Sequence, residues 1–406
     1  MGSSMNSAVS GLRAHQLMLD VVGNNIANVN TPGFKAGRTT FSDVLSQTVA
    51  GATAPTATLG GTDPQQAGLG VRTGAITNLF TQGGILTTNK PTDLAIQGDG
   101  FFILSDGSAN FYSRAGALEV DAVGNLVDSV TGYRVQGTSG DIVISQTATS
   151  PPVATGTATF TGNLDPTVTP ASTYTATISI NDSLGASHNL TVTFTKTATA
   201  GQFSYGIAVP ASDTTMTIAA STTPNLQFSG SGALPVGTVG SLTLNFTNGA
   251  SSGQVVALDF ASAANVTPVT GFASPATLAL GNQNGYASGT LQSFSIGTDG
   301  SINGTFSNGR VQSLGQIRLA TFANAAGLSK VGNNLFRESS NSGVANVGNA
   351  GTGGRGTLAP GSLEGSNVDL ADEFTKLIVA QRGFQANARV ITTSDEVLQE
   401  AVNLKR

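Results

Sequence analysis

The sequence predicts a mainly β chain with α-helical termini. The terminal helices form a coiled-coil-like core, followed by a discontinuous β domain and an inserted all-β outer domain. Three observations carry this prediction. Apolar residues recur at steps of three and four at the two ends of the 406-residue chain. Between those ends they alternate at every second position, in short runs punctuated by Gly and Asn. Both ends are helical, so the chain must return to its start, and a β domain built from two separated segments meets that need. The expected boundaries are 1–35 and 366–406 for the helical core and 36–70 for a linker. Residues 71–145 and 285–365 form the discontinuous β domain, and 146–284 the inserted one.

At the C-terminus, Leu370, Phe374, Leu377, Gln381, Phe384, Ala388, Ile391, Asp395, Leu398 and Val402 form a heptad-like seam with two polar interruptions. Ser366 and Asp369 have capping-box spacing. Asp369, Asp372 and Glu373 crowd the positive end of the helix dipole, and Lys405 and Arg406 the negative end. About 38 residues at 1.5 Å each give a rod of roughly 57 Å, which cannot bury its own stripe. At the N-terminus, Met5, Val9, Leu12, Gln16, Leu19, Gly23 and Ile26 repeat the rhythm. Ala8, Met18 and Val22, with Ile378, Val379 and Val390, widen the two stripes beyond a single seam. That width favours side-by-side assembly of helix pairs over a closed two-helix hairpin. The residues expected at a polymer interface are Val9, Leu12, Leu19, Ile26, Leu370, Phe374, Leu377, Phe384, Ile391, Leu398 and Val402.

After the first helix comes the run Asn24 to Lys35. Asn tolerates left-handed geometry and bonds to nearby backbone, so the run stops the helix. Pro32-Gly33 suits the centre of a type II turn. Gly51, Pro55, Gly60, Gly61, Pro64 and Gly68 mark 36–70 as a low-charge connector. From about 71 the pattern is β-like, with Leu94 to Ile96, a Gly98-Asp99-Gly100 turn and Phe101 to Leu104. Leu291, Phe294 and Ile296 before Asp299-Gly300, and later Gln316 to Phe322, supply the distant strands of the same domain.

In the inserted region, Tyr174 to Ile180 and Leu190 to Phe194 alternate with Thr and Ser, giving a hairpin across Asn181 to Ser187. Phe203 to Val209, Leu242 to Phe246 and Val256 to Phe260 give three more strands of a small sandwich or barrel.

Only 10% of residues are charged and the net charge is −5. With no basic patch, a nucleic-acid partner is not expected. The chain has no Cys, which excludes disulfides and thiolate metal sites. No apolar run approaches a membrane span, and no signal-peptide core is present, so work outside the cell requires export without a cleaved signal. Patterns that resemble chemistry fail on context. Gly249-Ala-Ser251-Ser-Gly253 matches a nucleophile elbow, but strands flank it and both histidines come earlier, so it reads as a hairpin loop. Gly351, Gly353 and Gly356 have dinucleotide-site spacing without a strand–helix unit. His15 reads as a helix-flank residue and His188 as part of a hairpin loop. Asp63, Asp93, Asp99 and Asp106 lack calcium-loop spacing. No catalytic, cofactor-binding or metal residue is assigned.

The run NNIANVNTPGFK at 24–35 resembles the N-terminal signature of the flagellar axial protein family, which comprises rod, hook and hook-filament junction proteins. The likeness continues in DLAIQGDGFFIL at 93–104, YSRAGALEVDAVGNLVDSVTGYRVQG at 112–137 and TTSDEVLQEAVNLKR at 392–406. The stretch from Gly361 to Glu396 is especially similar to the hook members. The signature-turn residues are Asn24, Asn25, Asn28, Thr31, Gly33, Phe34 and Lys35. The resemblance implies a non-enzymatic subunit without cofactors that self-assembles as a homopolymer into a tubular, flexible universal joint. It implies as partners the distal rod, the hook cap, the hook-filament junction protein and the type III export apparatus. It places the protein outside the cell, in the flagellar hook or basal body, without membrane insertion. Terminal helices would stay largely disordered until copies assemble. A rod subunit is the alternative within the family; such members are expected to lack an insertion like 146–284. A carbohydrate-binding or adhesive β module is the alternative from another class, and it requires an aromatic platform where the inserted region holds no Trp and few Tyr.

Overall fold

The computed structural model describes residues 2–56, 59–235, 238–261 and 268–403, so Lys405 and Arg406 lie outside the described residues. By internal contacts the chain divides into two compact units. The first comprises Met1–Ser145, Ser295–Asn303 and Ser313–Arg406; the second comprises Gln146–Phe294 and Gly304–Gln312.

The first unit holds both helices, α1 (Gly2–Ala27) and α2 (Leu370–Asn403). They pack antiparallel: Gly11 lies under Asn387, His15 lies over Gly383, and Asn25 bonds to Glu373 at 3.1 Å. On that register roughly the last two turns of α2 extend past the start of α1. The buried face of α1 is Ala8, Gly11, Ala14, Val22 and Asn25, opposite Glu373 and Ala380. This seam lies one position away from the expected column, and Val9, Leu12, Leu19 and Ile26 are only half-buried. The cause is close approach. Gly11 and Gly383 admit the Asn387 and His15 side chains, whereas large apolar residues would hold the backbones apart. His15, read as a helix-flank residue, is in the helix contact against Gly383. The cap also differs. Asp369 alone caps α2, accepting from the N–H groups of Ala371 at 2.8 Å and Asp372 at 3.3 Å, while Ser366 accepts from Val368 ahead of the helix.

Residues 36–70 are not an irregular connector. Gly37–Asp43 pairs with Val71–Asn78, and Ser46–Ala50 pairs with Gln65–Gly68, making a two-step antiparallel ribbon. Most of the Gly and Pro residues that suggested an open loop fall within 51–64, where the ribbon turns.

The main sheet of the first unit interleaves early and late sequence, as a discontinuous domain requires. Phe101–Ser105 is bordered by Asn110–Ser113 on one side, and by Arg134–Gly137 and Arg318–Thr321 on the other. Phe101, Tyr112 and Phe336 form its aromatic core with Phe80 and Phe322, through edge-on rings such as Tyr112–Phe322 at 4.8 Å. Two small ladders return the chain towards α2: Thr357–Pro360 with Leu94–Gln97, and Ser362–Glu364 with Ile85–Thr87.

The second unit is a β-sandwich. One sheet runs Met216–Thr222, Val239–Phe246, Gln254–Asp259, Thr157–Thr161, Ala279–Gln283; the other runs Thr173–Asn181, Ser187–Lys196, Gln202–Ala208, Leu226–Gln227. Their inner faces meet through Ile178, Leu190, Val192 and Phe194 against Phe160, Leu242, Leu244 and Leu258, all essentially inaccessible. The five expected strands are present. Thr157–Thr161, Met216–Thr222 and Ala279–Gln283 escaped the sequence reading because Thr, Ala and Gly blur their alternation.

One core group is out of place. The Tyr205 hydroxyl is buried with no hydrogen-bond partner among the described residues, in space left by the missing side chain of Gly240. Removing an unsatisfied buried hydroxyl recovers its desolvation cost. Tyr205→Phe is therefore expected to stabilise the second unit by about 1 kcal/mol, read as a later urea midpoint. Gly240→Ala is expected to destabilise it by ~1–3 kcal/mol in the same assay.

Candidate functional site

The signature run does its work as a fastener. Asn28 accepts from the N–H of Thr31 at its carbonyl (3.1 Å) and from the Thr31 hydroxyl at its side chain (3.1 Å), and it donates to the Asn24 carbonyl at 2.9 Å. Phe34 N–H donates back to Thr31 at 3.2 Å, and Gly33 has φ +69°, so Thr31 to Phe34 is the expected type II turn. A side chain at Gly33 would strike the backbone of Ala115, and its N–H donates to the Glu364 carbonyl at 2.8 Å. Phe34 is buried, with the Lys330 ammonium 4.3 Å above its ring.

Two asparagines tie the helix ends to the ribbon. Asn25 accepts from Gly37 N–H at 2.9 Å and donates to the Gly37 carbonyl at 2.8 Å. Asn367 accepts from Ala36 N–H at 2.8 Å and donates to the Leu79 carbonyl at 2.8 Å. Each amide mimics a backbone strand partner, which fixes where α1 and α2 leave the β structure.

Beneath them lies a buried charge cluster. Lys35 Nζ meets Glu364 Oε1 at 2.7 Å with both side chains fully inaccessible, and Arg114 Nη1 approaches Glu364 Oε2 at 3.4 Å. The remaining valences are largely filled. Lys35 donates to the Thr81 carbonyl at 2.8 Å, Gly83 N–H donates to Glu364 at 2.9 Å, and Arg114 donates to the Gly98 carbonyl at 2.8 Å. Burial holds the Lys35 ammonium below the usual lysine range, against the pull of Glu364. Lys35 stands among the expected signature residues. Glu364 and Arg114 were missed as functional, although each sits inside a recognised motif. In a chain with 10% charged residues, a charge inside an apolar β run is itself a signal.

The expected interface residues divide. Leu377, Phe384 and Ile391 are half-buried beside α1. Leu370, Phe374, Leu398 and Val402 are exposed, Phe374 by 51% and Val402 by 68%, as are Ile378, Val379, Val390 and Val397. The helix pair thus covers its small residues and leaves many large ones in solvent.

Elsewhere, Ser251 lies in the loop between Val239–Phe246 and Gln254–Asp259, as expected of a hairpin. Gly351 and Gly353 belong to a turn wrapped around Arg355. His188 departs from expectation. It is a buried strand residue, because the hairpin loop spans only 182–186 and Asp182 turns back onto its ring. Among the described residues no group of three His, Asp or Glu could hold a metal ion, and no helix is long and apolar enough to cross a membrane.

Four family models match the chain. They are the flagella basal body rod protein at 5–35, the flagellar hook protein FlgE/F/G D1 domain at 95–158, the flagellar basal body protein FlaE D2 domain at 147–286, and the flagellar basal body rod FlgEFG protein C-terminal at 359–404. The chain is 37% identical to the flagellar hook protein FlgE of Treponema pallidum (strain Nichols), over 99% of each chain. It is 37% identical to that of Escherichia coli (strain K12), over 99% of this chain and 100% of the other. It is also 34% identical to the flagellar basal-body rod protein FlgG of Bacillus subtilis (strain 168), over 99% of each. A crystal structure of Helicobacter pylori flagellar hook protein FlgE2 aligns with 67% of this chain and 98% of its own, at 15% identity and a TM-score of 0.47.

Lys35, Arg114 and Glu364 fall in three different matched segments, which the charge cluster joins. Removing one partner leaves a buried charge unpaired. Glu364→Gln is expected to destabilise the first unit by about 3–5 kcal/mol, measured by urea unfolding, with little effect on the second unit.

Proposed function

The chain belongs to the flagellar hook protein FlgE family, and on that footing we infer that it is the structural subunit whose copies polymerise into a flagellar hook. The observation that best supports polymerisation is the uncovered apolar surface of α2. Phe374, Ile378, Val379, Val397 and Val402 are each at least half exposed in the isolated chain. In a helix pair whose inner seam is already filled by small residues, these side chains gain burial only against other copies. Val9, Leu12, Leu19 and Ile26, half-buried on α1, supply the complementary stripe, and the extended last turns of α2 reach a neighbouring copy.

In this reading the helix pairs pack into the tube wall and resist twisting, while contacts between the second units of neighbouring copies slide as the tube bends. The partners are then the distal rod below, the hook cap and hook-filament junction protein above, and the export apparatus that delivers the chain. The location is outside the cell. The protein acts as a mechanical coupling and not as an enzyme.

Electron microscopy of envelopes from the source bacterium lacking this gene tests the assignment. Complete rods without a curved hook are expected. Rods that end early would move the chain to the rod, and normal hooks would remove it from the axial structure. For the interface, Leu398→Glu and Phe374→Asp are expected to leave urea unfolding of the monomer within about 0.5 kcal/mol while abolishing tube formation. In the free monomer, hydrogen exchange in α1 and α2 is expected to be fast, and to slow by orders of magnitude on assembly.

A further inference from the structure

At one end of the sandwich a single imidazole holds two carboxylates. His188 Nδ1 lies 2.6 Å from Asp213 Oδ2, and its Nε2 lies 3.2 Å from Asp182 Oδ2. The ring is 4% exposed and Asp182 is fully buried. Both contacts are hydrogen bonds only when both ring nitrogens carry protons. In neutral imidazole one nitrogen lone pair faces a carboxylate. The cluster reaches three loops. Asp182 belongs to the loop 182–186 and Asp213 to the loop 209–215. Asn248, in the loop 247–253, donates to Asp182 Oδ2 at 2.7 Å, and Ser251 N–H donates to Ser183 at 2.8 Å. Across the ring, Phe246 packs at 5.1 Å and supplies no compensating charge. The charged groups facing His188 are thus Asp182 and Asp213.

We propose that Asp182, His188 and Asp213 form a protonation-dependent latch, which binds these three loops together and releases them when His188 loses its proton. Burial opposes charge on His188, but the bonds to Asp213 and Asp182 outweigh it and raise its pKa above the ordinary histidine value. A raised histidine pKa gives stability that is complete below about 6.5 and is lost as pH climbs through the folded value. Asp213 is held low by Thr215 and His188. Asp182 is also low, since its bonds to Asn248 and His188 overcome its burial. Their contribution disappears only as pH falls through those depressed values. The latch is closed below about 6.5 and opens as pH rises through the raised value of His188.

The chain contains two histidines. Ring-proton NMR of the full-length protein therefore follows both rings, and His15→Gln identifies the titration curve of His188. Its midpoint is expected above about 6.5. Hydrogen exchange in 182–186, 209–215 and 247–253, corrected for intrinsic rate, is expected to rise several-fold through the same midpoint, while the core of the sandwich stays protected. Asp213→Asn is expected to lower the midpoint and move loop opening with it; His188→Gln is expected to leave the loops open at every pH. A midpoint at or below the ordinary value would overturn the latch. So would loops that keep their protection in the wild-type chain while His188 titrates.

Discussion

The buried contact between Lys35 and Glu364 is the constraint on which the first unit depends. It joins positions 329 apart in sequence, one just after α1 and one just before α2. Burying two such charges costs several kcal/mol per ion in desolvation, so the pair is a poor source of net stability. What it supplies is a unique geometry. With Arg114 and the amides of Asn25 and Asn367 around it, the exit direction of each helix is tied to bonds that another direction would break. The helices, the ribbon and the two return ladders all inherit that choice.

The helix pair follows a second rule. Small residues face inward, so the backbones lie close, and Asn387 and His15 fill the gaps over glycines. A seam of Leu and Phe would have been the stronger two-helix coil. Because the inner contact uses Ala and Gly, the large apolar residues stay available for contacts that the single chain cannot make. In the proposed polymer, burying those residues between copies adds stability to the assembly that the subunit alone lacks.

Much of this was legible in the sequence. Two helices at the termini, a domain interleaved from two segments, and a sandwich with its main hairpin all follow from periodicity and turn residues. Thr31 to Phe34 was readable as a turn because Pro32 and Gly33 admit little else. What failed were contacts between distant positions. Periodicity ranks Leu12 above Gly11, yet backbone approach is decided by the smaller residue. Turn composition placed His188 in a loop, since nothing local reveals that Asp213, 25 residues on, will close over its ring. The ribbon at 36–70 was hidden by the Gly and Pro residues at its tip.

The antiparallel register has one more consequence. The two ends of the helix pair differ: at one end asparagines fasten both helices to β structure, and at the other no such tie is made among the described residues. In the proposed polymer, copies joined head to tail through this pair give an assembly with two chemically distinct tips, because such contacts do not close unless the rotation between copies returns on itself.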